Sequence, residues 1–139
     1  MQNPGALGIM RVRIIPMKGT GRMATDDFKL LQKVQDMMEY GYPMLNQFPK
    51  AEKFSLAQDI RHCMNQILEL TITEDKKYTK KTTLEYLDIE NEKLKIYLRV
   101  SFRLRYISKH TYGVWEEKVV EIGKMIGGLI KSVNGKPKT

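Results

Sequence analysis

Cysteine occurs once in this 139-residue sequence, at Cys63, and histidine twice, at His62 and His110. One thiol excludes an internal disulfide framework and a multi-cysteine zinc site, and two histidines leave little for a histidine-based metal site. No apolar run approaches the ~18 residues of a membrane span. Alternating period-two segments of useful length and hairpin signals are missing as well, which removes β architectures. Acids are scarce beside bases, 16 against 24, leaving a net charge of +8. That balance is silent on fold but favours an acidic partner, nucleic acid first. The remaining composition, 42% hydrophobic and 29% charged, suits one soluble globular domain and not a wholly disordered chain.

Residues 1–25 differ from the rest. They hold Gly5, Gly8, Gly19 and Gly21 with Pro4 and Pro16, and carry Arg11, Arg13, Lys18 and Arg22 with no acid, which is +4 of the +8. Arginines interrupt the apolar stretch Ile9 to Ile15, so it makes a poor secretory signal. The expectation is a flexible basic arm, or upstream sequence ahead of a natural start at Met23.

From Asp26 to Val133 the periodicity predicts four helices. The first covers about Asp26 to Phe48, with Phe28, Leu31, Gln35, Met38, Tyr42 and Leu45 on one face and Thr25 or Asp26 as cap. Gly41 and Pro43 weaken it, and Phe48-Pro49-Lys50 marks a corner. The second covers about Glu52 to Ile72, its inward stripe being Phe54, Ala57, Ile60, Met64, Ile67 and Thr71. A polar loop, Thr73 to Lys81, follows, and then Thr82 with Glu85 fits a capping box for a third helix running to about Ile107. Ser108 caps a fourth, Lys109 to Val133, whose stripe is Trp115, Val119, Ile122, Ile126, Leu129 and Val133. Asn134-Gly135 and Pro137 end it, and residues 134–139 are expected to be a disordered tail. Short connections between four amphipathic helices give an all-α, up-down-up-down four-helix bundle.

The third helix is apolar on two sides. Ile89, Ile96, Val100, Leu104 and Ile107 share one face, and Leu84, Leu87, Leu94, Leu98 and Phe102 lie roughly opposite. One bundle interior needs one stripe, so the other packs on a neighbour within the bundle or meets another subunit. Charge on this helix is segregated. Glu85, Asp88, Glu90 and Glu92 come first, and from Lys93 to Lys109 there are six bases and no acid. Lys95, Arg99, Arg103, Arg105 and Lys109 fall within an arc of about 160°, interleaved with Tyr97, Phe102, Tyr106 and Tyr112. A helix dipole favours cations only in its last turn, whereas this stripe spans nearly four turns. Bases on phosphates and rings on nucleobases suit a nucleic-acid strand, the alternative being a solvated basic face.

Catalytic chemistry has little to stand on. His62 and Cys63 are adjacent on a helix, so their side chains diverge by about 100° and form no nucleophile–base pair. Cys63 sits beside the core stripe as a small hydrophobe. Gly123, Gly127 and Gly128 occupy helix positions where another backbone can approach, not a phosphate loop. The pairs Asp88/Glu92 and Glu117/Glu121 lack a neighbouring histidine and read as solvated faces. We expect no enzyme, no metal and no cofactor.

Two segments carry a resemblance. FPKAEKFSLAQDIR, Phe48 to Arg61, resembles the corner and second helix of small bacterial four-helix-bundle proteins, including those encoded in ribosomal RNA intervening sequences. LEYLDIENEKLKIYLRV, from Leu84, and YISKHTYGVWEEKVVEIGKMIGGLIKS, ending at Ser132, resemble the accessory variability determinants (Avd) of diversity-generating retroelements. The E-K-L-K/R helix and the E-I-G-x-M-[IL]-G-G-x-I-K ending are the most specific parts. Intervening-sequence proteins usually carry an S-I-P-A-N-I-A-E-G type stretch in the second helix, where this chain reads CMNQILELTITED. The resemblance covers about Asp26 to Ser132 and leaves the N-terminal arm outside.

It implies a homopentameric barrel of bundles and a non-catalytic accessory protein. Such a protein binds the retroelement's reverse transcriptase and template-repeat RNA or DNA, supporting mutagenic cDNA synthesis and retrohoming. On that reading Lys93, Lys95, Arg99, Arg103, Arg105 and Lys109 contact nucleic acid or polymerase, and Leu84, Leu87, Leu94, Leu98 and Phe102 form the subunit contact. The expected setting is cytoplasmic, with no membrane and no small-molecule substrate. The alternatives are an intervening-sequence-type bundle, or an oligomeric scaffold that does not touch nucleic acid.

Overall fold

Helices that are apolar along one stripe must bury that stripe against one another. In the structure, a computed structural model describing residues 25–76 and 81–135, they do so as a four-helix bundle. The helices are α1 (Thr25–Met44), α2 (Leu56–Lys76), α3 (Lys81–Arg103) and α4 (Lys109–Gly135), and there is no strand among the described residues. Two 3₁₀ turns, Leu45–Gln47 and Lys50–Glu52, build the corner between α1 and α2. Packing closes into a ring: α1 against α2 and α4, and α3 against α2 and α4. The helix α1 therefore lies diagonal to α3. The N-terminal arm falls outside the described residues, as do the centre of the 73–81 loop and residues 136–139.

The core joins Leu30, Val34 and Met37 of α1, Ile60, Met64 and Ile67 of α2, Leu84, Leu87, Leu94 and Leu98 of α3, and Trp115, Val119, Ile122 and Ile126 of α4, none of them reached by solvent. The expected α4 stripe holds through Ile126, with Leu129 and Val133 only partly covered. The expected α2 stripe holds from Ala57 to Thr71. That helix runs a turn beyond Ile72, to Lys76.

Three expectations are corrected. The α1 stripe holds at Leu31 and Leu45 but is displaced by one residue between them: Leu30, Val34, Met37 and Gly41 face inward, while Gln35 is exposed and Phe28, Met38 and Tyr42 are half-buried. The cause is Trp115, whose indole occupies the space that a Cβ on Gly41 would need, with Cζ2 only 2.5 Å from it. Phe54 is 81% exposed, because α2 begins at Leu56 and Phe54 belongs to the preceding turn. The helix α3 stops at Arg103 instead of Ile107, and Thr82 lies within its first turn instead of capping it.

Local chemistry explains where α3 ends and α4 begins. The Arg105 N–H donates to the Phe102 carbonyl at 2.9 Å and the Tyr106 N–H to that of Ser101 at 2.9 Å. This Schellman pairing puts Arg105 in the left-handed region, φ 66°, where glycine usually sits. Ser108 then caps α4 as expected, its Oγ accepting from the Thr111 N–H at 3.0 Å.

Three polar residues, Thr83, Asn91 and Ser101, lie on the buried side of α3. Asn91 Nδ2 donates to the Val119 carbonyl at 3.1 Å and Ser101 Oγ to the Tyr97 carbonyl at 2.8 Å. Gly123 faces that same Asn91 Nδ2, at 3.1 Å from where its Cβ would be, so it admits a side chain instead of a neighbouring backbone. Gly127 and Gly128 border open space.

Gly41→Ala should destabilise the bundle by about 1–3 kcal/mol, since the added methyl must displace the Trp115 ring; thermal melts followed by tryptophan emission will report both the loss and the ring's altered setting. Leu98→Asp should abolish the cooperative melt, because it places an uncompensated charge in the core; circular dichroism reads this directly.

Candidate nucleic-acid interface

The two faces of α3 take opposite roles from those expected. Leu84, Leu87, Leu94 and Leu98, expected at a subunit contact, form the bundle's own interior, and Phe102 stacks on Tyr112 with centroids 4.8 Å apart. The outward face holds Ile89, Ile96, Val100 and Leu104, between 37% and 56% exposed. Ile107, expected with them, is buried after the chain turns. The apolar surface left over on α3 is therefore the isoleucine–valine side.

The bases divide into two groups. Lys93 meets Glu90 at 3.3 Å and Lys95 meets Glu92 at 3.5 Å, each pair three residues apart on the same helix. These are solvent-facing pairs of small energetic weight that nevertheless lower the local positive potential. Arg99, Arg103, Arg105 and Lys109 are exposed and make no ion pair among the described residues. Because α3 ends at Arg103, the stripe is not one helical ridge. Lys95, Arg99 and Arg103 follow i,i+4 spacing along α3, Arg105 lies in the turn, and Lys109 opens α4. Arg99, Arg103, Arg105 and Lys109 thus run from the last turns of α3 to the start of α4, toward one end of the bundle.

The four aromatics expected to alternate with them are engaged within the fold. Phe102 and Tyr112 cover each other, the Tyr112 hydroxyl donates to Glu116 at 3.4 Å, and Tyr97 is half-buried. Tyr106 packs its ring on Phe48, centroids 5.6 Å apart, and its hydroxyl donates to Glu52 Oε2 at 3.0 Å. The other Glu52 oxygen, Oε1, accepts from the Ser55 hydroxyl and from the Leu56 N–H at 3.3 Å. This carboxylate fastens the α1–α2 corner to the α3–α4 turn. The Ser55, Leu56 and Tyr106 donors hold its pKa below the ordinary 4.5. Bonding to Glu52, then burial and the carboxylate's charge, raise the Tyr106 phenol above 10.0. Neither partner stands out in the periodicity, since a tie between two non-helical segments leaves no repeat.

Elsewhere Asp59, His62, Cys63, Gln66, Glu90, Lys93 and Tyr97 surround a shallow depression of about 310 Å³. Its thiol is unsuited to attack. Burial, then the Glu90 charge and hydrogen bond, push Cys63 up to about 12, and its Sγ–H donates to the Glu90 carbonyl at 3.2 Å. Among the described residues no group of three His, Cys, Asp or Glu side chains converges as a metal site, and no helix is long and apolar enough to cross a membrane.

The geometry is thus a helical bundle with Arg99, Arg103, Arg105 and Lys109 exposed toward the α3–α4 turn and an open apolar face on α3. A family model described as bAvd-like matches residues 28–133, most of the chain. The chain belongs to the bAvd-like family. No curated protein matches it. The bAvd-like family is one of accessory proteins. The matched span begins within α1 and closes within α4, so it takes in α2 and α3 whole and most of α1 and α4 of this bAvd-like chain.

The Glu52 tie predicts a pH signature. A folded-state pKa held below the ordinary 4.5 stabilises the fold above that value, and the contribution disappears as pH falls through the lowered one. Wild type should lose melting temperature more steeply than Glu52→Gln over that acid window. The raised Tyr106 value acts in the other direction: its contribution is complete below 10.0 and is lost as pH rises past the folded value. Tyr106→Phe should remove that alkaline component in the same melts.

Proposed function

We propose that this bAvd-like protein is a non-catalytic, cytoplasmic accessory subunit of a diversity-generating retroelement. It associates with the reverse transcriptase and with template RNA or DNA, and so supports mutagenic cDNA synthesis and retrohoming. The observation that carries the nucleic-acid part is the set Arg99, Arg103, Arg105 and Lys109, four exposed cations toward one end of the bundle with no ion pair among the described residues. Phosphate contacts by such groups release counterions and supply affinity without reading base edges. Lys93 and Lys95 stand at the margin of this surface, each partly neutralised by its own glutamate. An acidic surface of the polymerase would answer to the same charges.

Assembly follows from the other unfilled face. We propose a homopentamer in which Ile89, Ile96, Val100 and Leu104, not the leucines opposite, lie at the subunit contact. Three apolar side chains along α3 and Leu104 in the turn just after it, 37–56% exposed, form a ridge whose burial would remove it from water. Repetition around a ring would then turn each chain's cations into a wide positive belt.

Arg99→Ala with Arg103→Ala should leave helicity and melting temperature near wild type, because both lie off the core, and should weaken RNA or DNA binding and polymerase association. For every phosphate that the mutant no longer neutralises, the log–log salt slope should fall by about 0.7 to 0.9. Titrations of wild type and double mutant at two salt concentrations measure this, and equal binding by the folded mutant would transfer the case to a scaffold that ignores nucleic acid. Light scattering should give about five chains of 16.2 kDa per particle. Ile96→Asp should reduce that number with helicity intact, and a monomeric wild type at micromolar concentration would refute the pentamer.

A further inference from the structure

The end of the bundle that carries the unpaired cations also carries Phe54, the most exposed large apolar side chain among the described residues, at 81%. Its backbone is well held. The Glu52 N–H donates to the Pro49 carbonyl at 2.8 Å, Lys53 N–H to Lys50 at 3.1 Å, and Ser55 N–H to Glu52 at 3.1 Å. Glu52 ties the same corner to Tyr106 in the α3–α4 turn at 3.0 Å, and Phe48 supports the Tyr106 ring from beneath. Phe54 thus projects from a braced turn two residues from that tie. An exposed ring in a frayed segment would fold back onto nearby apolar surface, whereas this one is kept in water by its own scaffold.

Its electrostatic surroundings are predominantly positive. Lys50 and Lys53 are exposed on the corner, and Arg103, Arg105 and Lys109 on the facing turn. Glu52 is the one carboxylate within residues 49–55 and 103–110, and both of its oxygens accept hydrogen bonds from Ser55, Leu56 and Tyr106. A protein-docking face would offer a continuous apolar patch with a mixed polar rim. Here one planar ring stands among bases, which suits an unpaired nucleobase on the ring with its flanking phosphates on the lysines and arginines.

We propose that this bundle end is a single-strand binding site in which Phe54 stacks on an unpaired base of RNA or DNA. Lys50 and Lys53 hold the adjoining phosphates together with Arg103 and Arg105. The site rests on the nucleic-acid part of the reading above and adds to it: a preference for single strands over duplex, carried by a residue outside the basic stripe of α3.

The test uses the full chain as wild type, Phe54→Ala and Phe54→Trp, titrated with a labelled oligoadenylate and with a duplex of equal length at two salt concentrations. Phe54→Ala should weaken single-strand binding by about 5- to 100-fold, the range of one base–aromatic stack, with an unchanged salt slope and unchanged duplex binding. Phe54→Trp should retain single-strand affinity, and the added tryptophan's emission should be quenched by the oligonucleotide while Trp115, fully buried, supplies a constant background. Melting curves should coincide for all three proteins, since residue 54 makes no core contact. Unchanged oligoadenylate binding by Phe54→Ala overturns the stacking site while leaving the phosphate-binding reading intact, even if polymerase association falls. Equal loss for duplex and single strand also overturns it, because bases in a duplex are not available to the ring. Wild type that binds neither probe overturns both.

Discussion

The arrangement turns on the fit of Trp115 against Gly41. The indole is the largest fully buried side chain, and it lies where any other residue at position 41 would place a Cβ. Tyr40 meets it edge-on with centroids 6.4 Å apart, and one turn earlier on α4 the Thr111 hydroxyl lies 3.7 Å from Met44 Sδ. Together these contacts fix how far α1 can slide along α4 and which way it is rotated. A helix-interior glycine costs roughly 0.5–1 kcal/mol relative to alanine in isolation, a cost that burial of a whole tryptophan ring exceeds.

Once α1 and α4 are in register, the α1–α2 corner and the α3–α4 turn arrive at the same end of the bundle. There Glu52 meets Tyr106, two non-helical segments become one surface, and the cations of both face the same solvent. Charge repulsion among Lys50, Lys53, Arg103, Arg105 and Lys109 opposes this convergence, while the doubly engaged carboxylate and the Phe48–Tyr106 ring contact favour it. A surface of like charge that folding assembles against its own repulsion is relieved by a polyanion. The same physics links the structure to the reading of its family.

Helix number, the α4 stripe from Trp115 to Ile126, the Ser108 cap and the inert setting of Cys63 were legible in the residues, because each is a local pattern that tertiary packing leaves unaltered. The phase of α1 was not. Periodicity locates an apolar face only to within about one residue, and the decision fell to a tryptophan 74 positions away in the chain, touching Gly41. On α3 both faces had the right period, so the pattern held no information about which the bundle would cover. Asn91 and Ser101 add polar groups to the true core face, where Asn91 Nδ2 and Ser101 Oγ each donate to a backbone carbonyl.

The functional residues divide along the same line. The bases of α3 were visible as a run of one sign, but their pairing state depended on acids at three-residue spacing, which separated Lys93 and Lys95 from Arg99 and Arg103. The rings differ from expectation for a structural reason. Aromatics within a helical period, such as Phe102, are drawn into the contact between adjacent helices and cover one another. Phe54 is displaced from the period, placed two residues ahead of its helix by the corner Lys50–Glu52, and unlike Phe48 at the same corner it has no ring among the described residues to cover it. For Phe54 the break in periodicity that hides the residue in the sequence is also what leaves its ring facing water, since it falls outside the stripe that α2 turns inward.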